Sequence, residues 1–269
     1  MRHLLRPTLF ALSAFTGLFL PGANVLAQSC SKLSPPHRVA LLELYTSEGC
    51  SSCPPADQFI SGLRASGVTP EQAVVLSMHV DYWNDIGWKD PFSKALITAR
   101  QRWLTSLTGS HTVYTPEIFM SGKELRGGVS GWQHSVAASV QQINRQPAGA
   151  DIGLTLEPGN AGTLQVDIQA GSKEAGKLYL ALLQDGIATE VRAGENAGVV
   201  LKHDFVVREW LGPFRVAGDG KAAQPLRQML PLPANAARRQ LGVAAFIQND
   251  KGEILQALAM PVCQGIAAR

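Results

Sequence analysis

The chain has 269 residues and a formal charge of +3, with 45% hydrophobic and only 17% charged residues. That balance argues against nucleic acid as a partner, and with 26 Gly and 16 Pro it fits a compact, loop-rich exported protein. The length exceeds the usual size of one domain and predicts two.

Arg2, His3 and Arg6 make a basic start, and Thr8 to Leu20 make an apolar core too short to span a bilayer comfortably. Pro21-Gly22 breaks the core ahead of Val25-Leu26-Ala27, so residues 1–27 read as a signal peptide cleaved after Ala27. An uncleaved anchor and a lipoprotein at Cys30 are the alternatives, although Ala27-Gln28-Ser29 is a poor lipobox. Cleavage removes Arg2 and Arg6 and lowers the formal charge from +3 to +1. The expected location is periplasmic or secreted, without stable membrane insertion, where disulfides persist.

Arg38 to Tyr45 is an apolar run broken only by Glu43, long enough for a central strand buried on both faces. Gly49-Cys50-Ser51-Ser52-Cys53-Pro54-Pro55 follows and opens a helix through Ala65, with Phe59, Ile60 and Leu63 on one face. The two prolines are tolerable there because they fall in the first turn. Ala73 to Val80 repeats the buried-strand pattern, and strand, helix, strand predicts a right-handed crossover with parallel strands.

Phe92, Ala95, Leu96, Ala99, Trp103 and Leu107 mark a second helix ended by Gly109. Glu117 to Met120 and Glu124 to Arg126, joined through Ser121-Gly122, read as a hairpin, and Trp132, Val136, Val140 and Ile143 as a third helix. From about residue 150, short alternating runs separated by Gly, Asn and Asp turns read as an antiparallel β-sandwich, with Pro147-Ala148-Gly149 as the linker. The expected organisation is a first domain over 28–147 and a β-rich accessory domain over 150–269.

The chemistry centres on Cys50 and Cys53. Thiols at a helix start face free backbone N–H groups and the positive end of the helix dipole, which favour thiolate. Cys50 is the expected attacking sulfur and Cys53 the resolving one, with half a zinc site or a plain structural bridge as the alternatives. The parallel strands deliver Tyr82, Trp83 and Trp88 to the same sheet edge, as candidates for holding an apolar or peptide substrate or for plugging the boundary with the β domain. Glu43, seven residues before Cys50, is a candidate buried proton donor or a salt-bridging carboxylate. His79 and His111 are expected to be structural, with copper or zinc binding beside the thiols as the alternative, and His203 is expected in solvated surface. No cofactor is expected. An even cysteine count favours pairing Cys30 with Cys263, with exchange onto the Cys50–Cys53 pair as the alternative.

The order strand, helix, strand, helix, hairpin, helix, with Thr115-Pro116 opening the hairpin, resembles the thioredoxin fold. That resemblance implies an α/β thioredoxin-like domain, a mixed sheet flanked by helices, followed by an antiparallel β-sandwich-like domain. It also implies a cis-proline at Pro116 facing the cysteines and a Thr115 backbone that aligns a substrate strand. LELYTSEGCSSCPPAD, HVDYWNDIGWKDPF, TARQRW and VYTPEIFMSG together resemble an exported bacterial family labelled "domain of unknown function 1223". The function expected from both is thiol–disulfide exchange on protein or small-molecule disulfides with an unidentified redox partner. The alternative is a non-catalytic binding protein that holds Cu(I) or a partner protein.

Overall fold

Ala40–Thr46 (β2) and Ala73–His79 (β3) are buried along their whole length, as continuous apolar runs require, and they pair in parallel from Ala40↔Ala73 to Thr46↔His79. The computed structural model describes residues 29–160, 162–221 and 225–263, and the expected signal peptide over 1–27 lies outside the described residues. Between the two strands runs Pro54–Gly62 (α1), which opens with Cys53 as its N-cap and prolines in its first two positions. Ala95–Leu107 (α2), the hairpin of Glu117–Met120 (β4) and Lys123–Leu125 (β5), and Gly128–Asn144 (α3) complete this half. No helix among the described residues is long and apolar enough to cross a membrane.

Apart from a 3-10 turn at Arg238–Gln240, the regular structure in the rest of the described chain is β: Ala150–Pro158 (β6), Thr163–Ser172 (β7), Gly176–Gln184 (β8), Ile187–Glu190 (β9), Val200–His203 (β10), Val206–Val216 (β11), Leu226–Pro231 (β12), Leu241–Gln248 (β13) and Ile254–Pro261 (β14). Cys30–Leu33 (β1) precedes β2 and pairs with β6. The strands build a four-stranded sheet in the order β1-β6-β7-β12, a separate β10-β9 ribbon, and one eight-stranded mixed sheet in the order β14-β13-β8-β11-β3-β2-β4-β5.

This architecture corrects the expected fold class. The protein is mostly β, and its large sheet is shared between the two halves instead of being a helix-flanked α/β sheet beside a separate β-sandwich. The seam is the parallel pairing of β11 with β3 at Val206↔Ser77, where Ser77 N–H donates to Phe205 O. The strand patterns on each side of the seam are right, but alternation is a local property and does not say which strand is the neighbour.

The faces of the large sheet divide the core. On one face, α1 and α3 cover Ala40, Leu42 and Leu44 of β2, while the four-stranded sheet covers Leu180, Leu182, Val243 and Ala245 farther along. On the other face, Leu41 and Tyr45 of β2 join Ala181, Leu183, Ala244 and Phe246 in one cluster with Ile97 and Leu104 of α2. The core is therefore continuous across the seam. Cys30 and Cys263 are disulfide-bonded, which ties β1 to the segment just after β14 across 233 residues.

Candidate functional site

β2 ends at Thr46, and the chain turns through Ser47, Glu48 and Gly49 so that Cys50 N–H donates to Ser47 O and Cys53 N–H to Cys50 O, both at 3.2 Å. Cys50 and Cys53 form a disulfide across the start of α1. The turn is tight against its neighbours: a Cβ on Gly49 would lie 3.2 Å from Trp83 Cβ. Trp83 in turn donates from Nε1 to Thr115 Oγ1 at 2.8 Å, which places the cis Thr115-Pro116 turn beside the same indole.

Neither cysteine is exposed (0% each), although Ser51 and Ser52 between them are. The β9-β10 ribbon and its loop form the cover. Asn196 Nδ2 donates to Glu48 O (2.8 Å) and to Cys50 O (3.0 Å), and Glu195 Oε2 accepts from Ser51 N–H at 3.0 Å. Gly194 is where this loop touches the aromatic loop: a Cβ there would lie 3.1 Å from Trp88 Cβ, and its φ of +75° is glycine's territory.

Beneath the turn lies a buried cluster of titratable groups from four parts of the chain. His79, at the end of β3, shares a 2.7 Å hydrogen bond through Nδ1 with Asp90 Oδ2, which also accepts from Glu48 N–H. His203, at the end of β10, stands 3.2 Å through Nε2 from Glu48 Oε1 and 3.8 Å through Nδ1 from Asp57 Oδ2. Trp88 Nε1 donates to Glu48 Oε2, and Thr46 Oγ1 to Asp57 Oδ2. The two imidazoles meet edge to face with centroids 5.1 Å apart.

Burial pushes the Asp57 carboxyl up to about 6, against the pull of the nearby histidines. For His79 burial opposes the charged form, yet the Asp90 carboxylate outweighs it and holds the imidazole above its ordinary value. Asp90 is held below the usual carboxylate range: burial raises it, but His79 and the N–H groups of Glu48 and Phe92 lower it further. Three buried atoms here, His79 Nε2, His203 Nδ1 and Asp57 Oδ1, have no hydrogen-bond partner among the described residues. Among those residues, no three His, Cys, Asp or Glu side chains stand in metal-ligand geometry.

The structure thus brings Cys50, Cys53, Trp83, Trp88, Thr115 and Pro116 to one end of the sheet. Tyr82 is half-buried and its hydroxyl donates to Gln101 Oε1. Glu43 is elsewhere. Its side chain lies on the sheet face away from α1, where Arg100 of α2 takes both carboxylate oxygens, at 2.5 Å to Oε1 and 3.0 Å to Oε2. Of the two weighed roles it fills the salt-bridging one, because β2 alternates faces and Glu43 shares its face with Leu41 and Tyr45. His79 is a buried hydrogen-bonded residue, and His111 is exposed.

His203 corrects the sequence reading: it is 2% exposed, because the ribbon folds back over the cysteine turn. The sequence pattern alone does not mark Glu48, Asp90 or Asn196 as members of this site. Asp57, four residues after Cys53 on one helix, carried a readable signal, since that spacing puts two side chains on one face. Asn196 and His203, about 150 residues away, carried none.

The family described as "Protein of unknown function (DUF1223)" matches residues 41–248. The chain is similar to the crystal structure of protein AGR_C_4864 from Agrobacterium tumefaciens, with 24% identity over 85% of this chain and 96% of that one and a TM-score of 0.57, a likeness of fold alone. No curated protein matches.

Proposed function

The chain belongs to the DUF1223 family of proteins of unknown function, and from that premise we propose that it is an exported thiol–disulfide oxidoreductase whose working couple is Cys50 and Cys53. The observation that carries this reading is the Cys50–Cys53 bridge across the N-terminus of α1, directly above a buried cluster able to hold protons. Reduced, the pair gains from the helix start, where free N–H groups stabilise a thiolate. The Cys50 thiolate attacks one sulfur of a substrate disulfide, forming a mixed disulfide and releasing one substrate thiolate. Cys53 then attacks Cys50 Sγ, which reforms the internal bridge and releases the second substrate thiolate; run backwards, the same steps oxidise a dithiol.

Export is supported by the basic start, apolar core and small-residue site over 1–27, and by two disulfides, which persist in an oxidising compartment. Trp83 and the Thr115-Pro116 turn flank the couple and are the proposed substrate-contacting elements, with Trp88 beside Glu48. Exchange requires the β9-β10 cover to move.

A second reading is favoured by one observation, the complete burial of both cysteines: a non-catalytic protein in which the pair is a permanent rivet. The reduction potential separates the two. A couple in use equilibrates with glutathione at a potential above roughly −300 mV, and replacing Cys50 with Ser abolishes turnover of a small test disulfide; a potential below roughly −300 mV, or turnover that survives Cys50→Ser, removes the redox reading.

A further inference from the structure

At the opposite end of β3 from His79, the large sheet splits. β11 reaches β3 only at Ser77, so the stretch Ala73–Val75 has β2 on one side and, on the other, a cavity of about 280 Å³ bordered by the ends of β8, β13 and β14. Its wall is apolar: Val75, Leu183, Phe205, Leu241, Val243 and Met260 line it, and all of them are buried. A water placed against such a wall would lack the two to four polar partners it needs.

Phe205 is held in this wall by its backbone. It has φ +59°, a left-handed conformation that a bulky residue adopts only under constraint. The constraint is visible: its N–H donates to Asp185 Oδ1 at 2.8 Å, its carbonyl accepts from Ser77, and its ring lies 4.1 Å below the Arg64 guanidinium.

The mouth is charged and unbalanced. Arg64 is paired with Asp185 at 2.7 Å, and Lys32, which donates to the carbonyl of the lining residue Ala259, is paired with Glu71. Arg239 lines the mouth, is exposed, and has no ion-pair or hydrogen-bond partner among the described residues. An apolar pocket with one unpaired arginine, Arg239, at its entrance matches a ligand with an aliphatic body and an anionic head, because a guanidinium fork takes a carboxylate through two parallel hydrogen bonds.

We infer that this cavity binds a small aliphatic carboxylate, its chain between β3 and the ends of β8 and β13 and its head on Arg239. The site lies at the far end of α1 and β3 from the cysteines and does not depend on the redox reading.

The test is calorimetric titration of the full chain with octanoate, octanol and octylammonium, repeated on Arg239→Glu. That substitution falls on an exposed residue, so the fold is retained. Octanoate is expected to bind saturably, one per chain, and more tightly than octanol, while octylammonium does not bind. Arg239→Glu is expected to weaken octanoate about tenfold or more and to leave octanol unchanged, the loss of one charge-assisted contact. Absence of saturable octanoate binding at millimolar concentration, equal affinity for octanoate and octylammonium, or octanoate affinity indifferent to Arg239→Glu would each overturn the inference.

Discussion

Replacing Arg100 with Met tests the assignment of Glu43. Arg100 is 6% exposed and Glu43 0%, and the guanidinium holds both carboxylate oxygens while also donating from Nη1 to Gln248 Oε1 at 3.0 Å. Its planar head lies 4.9 to 5.9 Å from the ring centroids of Phe246, Tyr179, Trp210 and Trp103. Among the described residues, Arg100→Met leaves Glu43 with only the Tyr45 hydroxyl, at 3.2 Å, to stabilise a carboxylate shut away from water. Removing one partner of a buried ion pair costs about 3–5 kcal/mol, and the lost cation–ring contacts add roughly 1 kcal/mol, offset in part by the thioether packing on the same rings.

The double variant Glu43→Leu/Arg100→Met removes both charges and is expected to recover most of the loss, since a buried ion pair and an apolar pair of similar volume are often close in energy. Guanidinium unfolding of the oxidised protein, followed by tryptophan fluorescence, supplies the four corners of the cycle. A single-variant cost below about 1 kcal/mol, or a double variant as unstable as the single, would refute the assignment. A second readout separates the two roles weighed for Glu43. Glu43→Gln should leave the pH dependence of the Cys50–Cys53 potential unchanged, because the side chain lies on the other face of the sheet from α1.

The pH dependence of stability follows from the buried cluster. Asp57 sits near 6 when folded against 3.8 as the ordinary value, so above about pH 6 the native state carries a penalty of roughly 3 kcal/mol that disappears as pH falls toward 4. Glu117, raised to about 7 by burial, works in the same direction, as does His79, whose contribution is full below its unfolded value and lost as pH rises through its higher folded one. Stability is therefore expected to increase from about pH 8 to about pH 5, with Asp57→Asn flattening the slope and stabilising the protein at high pH; denaturation curves for the two proteins that stay parallel would contradict this. Asn196→Ala leaves the carbonyls of Glu48 and Cys50 without their side-chain donor, a cost of about 1–3 kcal/mol concentrated in the β9-β10 cover. Reduction of Cys50–Cys53 by a small phosphine should then accelerate on the order of tenfold or more through more frequent opening, and an unchanged rate would show that the cover does not limit access.

Local order was legible because it depends on near neighbours. The short apolar runs at Ala40–Thr46, broken only by Glu43, and at Ala73–His79 read as strands buried on both faces, Pro54-Pro55 fits a first helical turn, and the helical repeats around Trp103 and Trp132 placed α2 and α3. Cys50 and Cys53 announced themselves by spacing. Beyond the parallel crossover of β2 and β3, none of these signals contains the partner of a strand or the face of a charge. Glu43 could point toward the cysteines or away, and only the pairing of β2 with β3 and β4 turned it toward Arg100.

By itself the sequence determined the three helices, the buried strands β2 and β3 with the parallel crossover that carries the cysteine turn, and the thiol chemistry to consider, but not the short strands β1, β9, β10 and β12. The tertiary structure alone decided that β8, β11, β13 and β14 extend the sheet of β2 and β3 instead of forming a body of their own, and that a ribbon ending at His203 closes over Cys50. The reason is physical. Hydrophobic periodicity records whether a residue faces the core, but the pairing of backbone edges and the meeting of Glu48 with His203 across 155 positions are set by the burial of the whole chain at once.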